Sequence, residues 1–163
     1  MLHHELTVGL GERSYPIRNG EGLLGDLVIE GSKAVLLIDE NIAQHHAAAL
    51  SINGPEIIGT ITIPSGEASK SLRFYSDVMD EVLALKPDRQ TTIIAFGGGV
   101  VGDLAGFVAA SLLRGVPFIQ IPTQLLSMVD SSVGGKTGIN SQHGKNLIGA
   151  FYQPQSVTID TDL

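Results

Sequence analysis

The chain has 163 residues, 43% hydrophobic and 17% charged, a globular composition that leaves room for one sizeable core and excludes a disordered chain. A formal charge of −7 excludes a fold-wide basic field for nucleic acid, and the lack of cysteine excludes disulfides, thiolate metal sites and thiol nucleophiles. Met1-Leu2-His3-His4-Glu5 lacks a secretion-signal pattern, and the most apolar run, Val100 to Val116, is interrupted by Asp103 and Arg114, so a cytoplasmic protein without membrane contact is expected.

His4 to Arg18 alternates apolar and polar residues around a Gly-Glu-Arg turn and predicts a hairpin. Gly22 to Val28 suits a short helix. Ala34 to Ile38 is a continuous apolar run, the mark of a strand buried on both faces. Asn41 to Leu50 predicts a helix, and the β-branched run Ile57 to Ile63 a strand. After a Pro64-Ser65-Gly66-Glu67 loop, Ser69 to Leu85 places Leu72, Val78, Met79, Val82 and Leu83 roughly on one helical face, which Pro87 ends. Thr91 to Phe96 predicts another buried strand, running directly into Gly97-Gly98-Gly99. An apolar helix over Val100 to Leu113, a strand over Phe118 to Ile121 and a helix over Thr123 to Val133 follow. Gly134 to Gly149 is a long polar, glycine-rich stretch. Ser156 to Ile159 predicts a last strand, and an ending that runs off this strand without a terminal helix reads as a boundary between domains. Alternating strands and helices imply an α/β fold with a mostly parallel sheet.

Gly97-Gly98-Gly99-Val100-Val101-Gly102-Asp103 matches G-x-G-x-x-G between a strand and a helix. Such glycines let backbone reach a pyrophosphate while the helix N-terminus offers N–H groups and a positive dipole; the alternative is a tight turn packed closely. The motif falls late in the chain, and no acid stands about twenty positions on, as a ribose partner would. Asp39, ending an earlier buried strand, is the candidate for that partner, or else a helix cap for Glu40 and Asn41. Gly134-Gly135-Lys136-Thr137 resembles a P-loop only superficially, because Asp130 stands where its first glycine belongs. Lysines in that stretch suit phosphate, or else a solvated loop. The adjacent pairs His3-His4 and His45-His46 diverge on any regular element, and His143 is alone, so no metal site is assigned.

Several strings together resemble the 3-dehydroquinate synthase family of sugar-phosphate cyclases. They are Pro64-Ser65-Gly66-Glu67 with Lys70-Ser71, then Gly97 to Phe107, Arg114-Gly115 and Pro122-Thr123. Val129 to Asn140, which includes Asp-Ser-Ser-Val-Gly-Gly-Lys-Thr-Gly, and Gly144 to Phe151 complete the match. The resemblance covers nearly the whole chain but only the N-terminal half of the family's usual length. It implies a Rossmann-like NAD-binding domain over residues 1–163, with the family's helical, metal-binding C-terminal domain absent. The implied reaction of the intact enzyme converts 3-deoxy-D-arabino-heptulosonate 7-phosphate to 3-dehydroquinate and phosphate, in the shikimate pathway. It uses NAD transiently and a divalent metal, zinc or cobalt, whose glutamate and two histidine ligands lie in the absent half. By position, Asp39 and Asn41 are implied on the adenosine side and Glu67 and Lys70 near the riboses; Gly98, Gly99, Val100 and Asp103 belong at the pyrophosphate or nicotinamide ribose. Thr123 and Lys145 also belong to the NAD set, as does Gln124, where the family commonly has threonine or serine. Asp130, Lys136 and Asn146 are implied at the substrate, with Lys136 also in the cofactor set, and Arg114 at the substrate phosphate of a partner in a homodimer. The fragment by itself is expected to be inactive. Competing readings are an inosose- or valiolone-forming cyclase, a metal-dependent alcohol dehydrogenase, and a stand-alone non-catalytic nucleotide-binding module.

Overall fold

The structure, a computed structural model, describes residues 3–163. Met1 and Leu2, read above as part of a start without a secretion signal, lie outside them. Residues His3–Val8 (β1) and Tyr15–Gly20 (β2) form the expected antiparallel hairpin, closed by a 3-10 turn at Gly11–Arg13. In place of a short α-helix, Leu23–Asp26 makes a 3-10 turn leading into Leu27–Val28 (β3). Lys33–Asp39 (β4) is followed by Glu40–His45 (α1), and Ile52–Asn53 (β5) pairs with β3. Glu56–Ile63 (β6), Leu72–Ala84 (α2), Thr92–Gly97 (β7), Gly99–Ser111 (α3) and Phe118–Pro122 (β8) follow. Lys136–Ser141 (β9) and Gly144–Phe151 (β10) pair with each other, and Val157–Asp160 (β11) ends the sheet's chain order.

Seven strands form one sheet in the order β1-β2-β11-β8-β7-β4-β6. All neighbours from β2 to β6 are parallel, so the four apolar runs predicted as strands lie side by side. Alternate side chains of each parallel strand enter opposite cores. Val35, Leu37, Ile93, Ala95 and Phe118 pack beneath α2 and α3, while Ala34, Leu36, Ile38, Ile94, Phe96 and Ile119 pack beneath α1 and the β3–β5 ladder. The parallel strands taken in chain order (β4, β6, β7, β8, β11) stand in the order 2-1-3-4-5. The direction of winding reverses between β4 and β7, and open α/β sheets bind ligands at the carboxyl ends of strands flanking such a reversal. The glycine turn leaves β7 there, so its late position in the chain follows from the topology.

The helix expected over Asn41 to Leu50 stops at His45, and two further expectations need correction. The glycine-rich stretch 134–149 is the antiparallel β9–β10 hairpin and not a loop, because its glycines permit two backbones to touch. A Cβ on Gly138 would come within 2.7 Å of Ile148 O, and one on Gly149 would overlap Thr137 O. The hairpin covers the outer face of α3: Ile139 joins the core, and a Cβ on Gly106 would overlap the Thr137 side chain. That double burial explains why α3 is apolar nearly all round. The helix expected over 123–133 is confined to 125–131, with a π turn at Ser127–Ser131 in which Ser132 N–H donates to Ser127 O at 3.1 Å. Its start is pulled away from helical geometry because Thr123 N–H donates to Gly97 O at 3.0 Å.

Candidate functional site

Gly98 caps α3 without a side chain, and the first intrahelical bond runs from Gly102 N–H to Gly98 O at 3.0 Å. The N–H groups of Gly99, Val100 and Val101 precede that bond and are the free donors of the helix end. The glycines of the motif divide by role. A Cβ on Gly97 would press on Val101 at 2.8 Å and on Asp39 at 3.1 Å, one on Gly98 would overlap the Gln124 amide, and one on Gly102 would meet Gln120 Oε1 at 2.8 Å. Close packing accounts for these three. Gly99 has only the Ser131 hydroxyl nearby, at 3.3 Å, so its bare backbone faces the space in front of the helix.

Asp39 ends β4 beside Gly97 and is a helix cap: its Oδ1 accepts from Asn41 N–H at 2.8 Å and Ile42 N–H at 3.4 Å. Ser65 Oγ donates to the same carboxylate, and Asn41 Nδ2 donates to Ser65 Oγ at 2.8 Å. The capping carboxylate lies at the winding reversal.

On the other side of the glycine turn, Lys70 is 4% exposed, and its ammonium donates to Asp103 Oδ2 at 2.8 Å and to Asn146 Oδ1 at 2.6 Å. Glu67 Oε1 lies 3.7 Å from the same ammonium. Burial pushes the Asp103 carboxyl above its usual range, and the Lys70 ammonium only partly offsets this. The Asn140 amide, ahead of the Lys70 and Lys145 charges, holds the Glu67 carboxyl low. Asp103, Asp130, Lys136 and Asn146 line a cleft of about 480 Å³ between α3, the π turn and the hairpin. Val133, Leu147 and Phe151 form its apolar margin.

The fold therefore gathers Glu67, Lys70, Asp103, Asn146, Asp130 and Lys136, and brings Gly98, Gly99, Val100, Thr123 and Gln124 to the adjoining turn. Lys145 is exposed on the hairpin, near enough to act on Glu67. Arg114 stands apart, beyond the far end of α3, about 20 Å away at 1.5 Å per residue. Leu113 and Arg114 there both hold positive φ, 50° and 69°. A larger open trough of about 1160 Å³ lies at the opposite sheet edge, along β2, β3 and the start of β8, and contains none of the candidate residues. Among the described residues, no three of His, Asp and Glu converge as a metal site, and no helix is long and apolar enough to cross a membrane.

Three partners were missed in the sequence: Ser65 on Asp39, Ser131 under Gly99, and Asn140 between Glu67 and Asn146. Asn140 lies inside the glycine-rich stretch, and reading that stretch as a loop removed the cross-strand neighbours that give the residue a role.

The 3-dehydroquinate synthase N-terminal family model matches residues 60–163. The chain belongs to that family. Among curated relatives, the 3-dehydroquinate synthase of Pseudomonas aeruginosa is 52% identical, over 96% of this chain and 44% of its own length. That of Rhodospirillum rubrum is 49% identical, over 96% and 43%. The chain thus spans about half the length of these relatives. The crystal structure of 2-deoxy-scyllo-inosose synthase, complexed with carbaglucose-6-phosphate, NAD+ and Co2+, superposes with a TM-score of 0.81 at 26% identity, covering 98% of this chain and 45% of that one. The 2-epi-5-epi-valiolone synthase of Streptomyces hygroscopicus, with NAD+ and Zn2+ bound, shares the fold with a TM-score of 0.76 at 24% identity, over 94% and 44%.

Proposed function

We propose that residues 1–163 form the NAD-binding domain of a 3-dehydroquinate synthase. The intact enzyme would convert 3-deoxy-D-arabino-heptulosonate 7-phosphate to 3-dehydroquinate and phosphate. One observation carries the reading: the α3 N-terminus, free of any side-chain cap, stands at the winding reversal with Asp39 on one side and the Lys70–Asp103 pair on the other. The residues fit NAD, because the free N–H groups and helix dipole suit a pyrophosphate, and the open backbone at Gly99 admits its close approach. Bound NAD would supply reversible hydride acceptance from a substrate carbon.

The chain's own residues bind and orient. Gly99 and Val100 N–H groups would donate to pyrophosphate oxygens, with Thr123, Gln124 and Lys145 around the cofactor. Asp39 and Asn41 would meet the adenosine ribose, and Glu67 and Lys70 the riboses nearer the hairpin. Lys136 would bring positive charge to an anionic substrate and Asn146 an amide N–H, with Asp130 lining the same cleft. Arg114 would reach the substrate phosphate of a partner subunit in a homodimer. The described residues do not fit a divalent metal, whose ligands would come from the relatives' remaining length.

Phosphate release requires that remaining length, and this chain alone would bind NAD without turnover. A cytoplasmic location suits such an enzyme. An inosose- or valiolone-forming cyclase is the second reading, favoured by the structural likeness; the 52% identity to 3-dehydroquinate synthase favours the first. Calorimetry with NAD, and a phosphate-release assay with the heptulosonate phosphate, NAD and zinc, test the proposal. Absence of NAD binding refutes it, and sustained phosphate release by the chain alone refutes the division of labour.

A further inference from the structure

Asn140, to which neither the cofactor nor the substrate set assigns a role, bonds to members of both. Its Nδ2 donates to Glu67 Oε1 at 2.8 Å, its Oδ1 accepts from Asn146 N–H at 2.9 Å, and its own N–H donates to Lys70 O at 2.8 Å. Glu67 and Lys70 lie on the segment between β6 and α2, whereas Asn146 lies on β10. The β9–β10 ladder is interrupted between Gly144 and Ile148, so the Asn140 side chain takes the place of a ladder partner for Asn146 N–H. Asn146 is held at φ 57°, a left-handed conformation that persists in non-glycine residues where the surroundings dictate it.

Lys70 closes the circuit through its 2.6 Å bond to Asn146 Oδ1. An ammonium only donates, so the amide oxygen must face Lys70, and Asn146 Nδ2 is left as a donor on the cleft. The backbone of Asn146 is thus set by Asn140 and its side chain by Lys70, and both holders are tied to the Glu67–Lys70 segment.

We propose that Asn140 is a positioning residue that couples occupancy of the cofactor side, at Glu67 and Lys70, to the orientation of Asn146 on the substrate side. The proposal rests on the NAD reading above. Two substitutions separate its parts. Asn140→Ala removes both side-chain bonds, whereas Asn140→Asp keeps the acceptor for Asn146 N–H and loses the donor to Glu67.

Amide NMR on the labelled chain, with and without NAD, is the test. Without ligand, the Asn146 amide should exchange at least about tenfold faster in Asn140→Ala than in the wild type and at a near-wild-type rate in Asn140→Asp. On NAD addition, the wild-type Asn146 amide should shift together with those of Glu67 and Lys70. In Asn140→Asp the Glu67 and Lys70 amides should still shift while the Asn146 response falls to under about a third, although its protection is intact. A purely structural role would not separate protection from response. Undiminished response in Asn140→Asp, or undiminished protection in Asn140→Ala, overturns the proposal. If NAD shifts no wild-type resonance, the NAD reading falls and the coupling falls with it, while the exchange rates still decide whether Asn140 positions Asn146.

Discussion

Replacing Lys70 with methionine keeps an unbranched side chain of similar length and removes only the charge and the donors. The ammonium is buried against Asp103, whose side chain is 21% exposed, and it also holds Asn146. Removing one partner of a fully buried pair costs roughly 3–5 kcal/mol. Asp103 keeps some contact with water and can take up a proton, so the cost here should be about 2–4 kcal/mol at pH 7. For a domain of this size, that is a fall in Tm of roughly 5–15 °C. Burial already raises the Asp103 pKa in the folded chain, and loss of Lys70 raises it further. A carboxyl with a raised folded pKa binds its proton more tightly when folded. Its contribution is therefore fully present below the unfolded pKa and is lost as pH rises through the folded value. The difference between variant and wild type should accordingly shrink as pH falls from 7 towards 5. Thermal unfolding followed by circular dichroism at the two pH values measures it. A difference below about 1 kcal/mol at pH 7, or one that widens on acidification, would refute the electrostatic account of this pair.

A Cβ at Gly99 would meet only the Ser131 side chain, so Gly99→Val should cost little in Tm while NAD affinity by calorimetry falls at least about tenfold; equal affinities would make the turn purely structural. Asp39→Asn keeps a capping side chain, so stability should hold within about 0.5 kcal/mol while any preference for NAD over NADP narrows. Equal wild-type affinity for the two cofactors would remove Asp39 from the ribose. Gly149→Ala drives a methyl into Thr137 O, backbone that cannot swing aside, and should cost about 1–3 kcal/mol in chemical denaturation; an unchanged midpoint would show that the hairpin tolerates wider spacing. In a protein of the relatives' full length, Lys136→Ala should lower turnover far more than NAD affinity, and matched losses would move Lys136 to the cofactor.

The parallel sheet was legible because Ala34 to Ile38, and Ile93 to Phe96 within the run from Thr91, are apolar without interruption, the pattern of strands buried on both faces. The cap at Asp39 was also legible as one of two readings, since capping is local chemistry. The β9–β10 hairpin was hidden: its strands are polar and rich in glycine, and their pairing depends on glycines meeting across the ladder and not on an alternating pattern. A signal did exist in α3. Val100 to Leu113 is too apolar for a helix with one wet face, so something had to cover its outer side. Of the site, the identities of Lys70, Asp103 and Asn146 came from motif likeness, but their mutual contact could not, because 76 positions separate Lys70 from Asn146. Sequence spacing is silent on such closures.

The position of β11 bears on how the chain acquires its shape. This strand lies between β8 and β2, and Asp160 accepts hydrogen bonds from Gly22 N–H and Leu24 N–H, 138 and 136 positions earlier. The β1–β2 hairpin can form as soon as it leaves the ribosome, but it has nowhere to attach until residues 157–160 follow. At about 5–20 residues per second, that delay is roughly 7–30 s. From its own synthesis at residues 118–122 until β11 follows, roughly 2–8 s at the same rate, β8 presents an unpaired edge, open to pairing with another chain. Slow synthesis or crowding of nascent chains should therefore favour aggregation through β8.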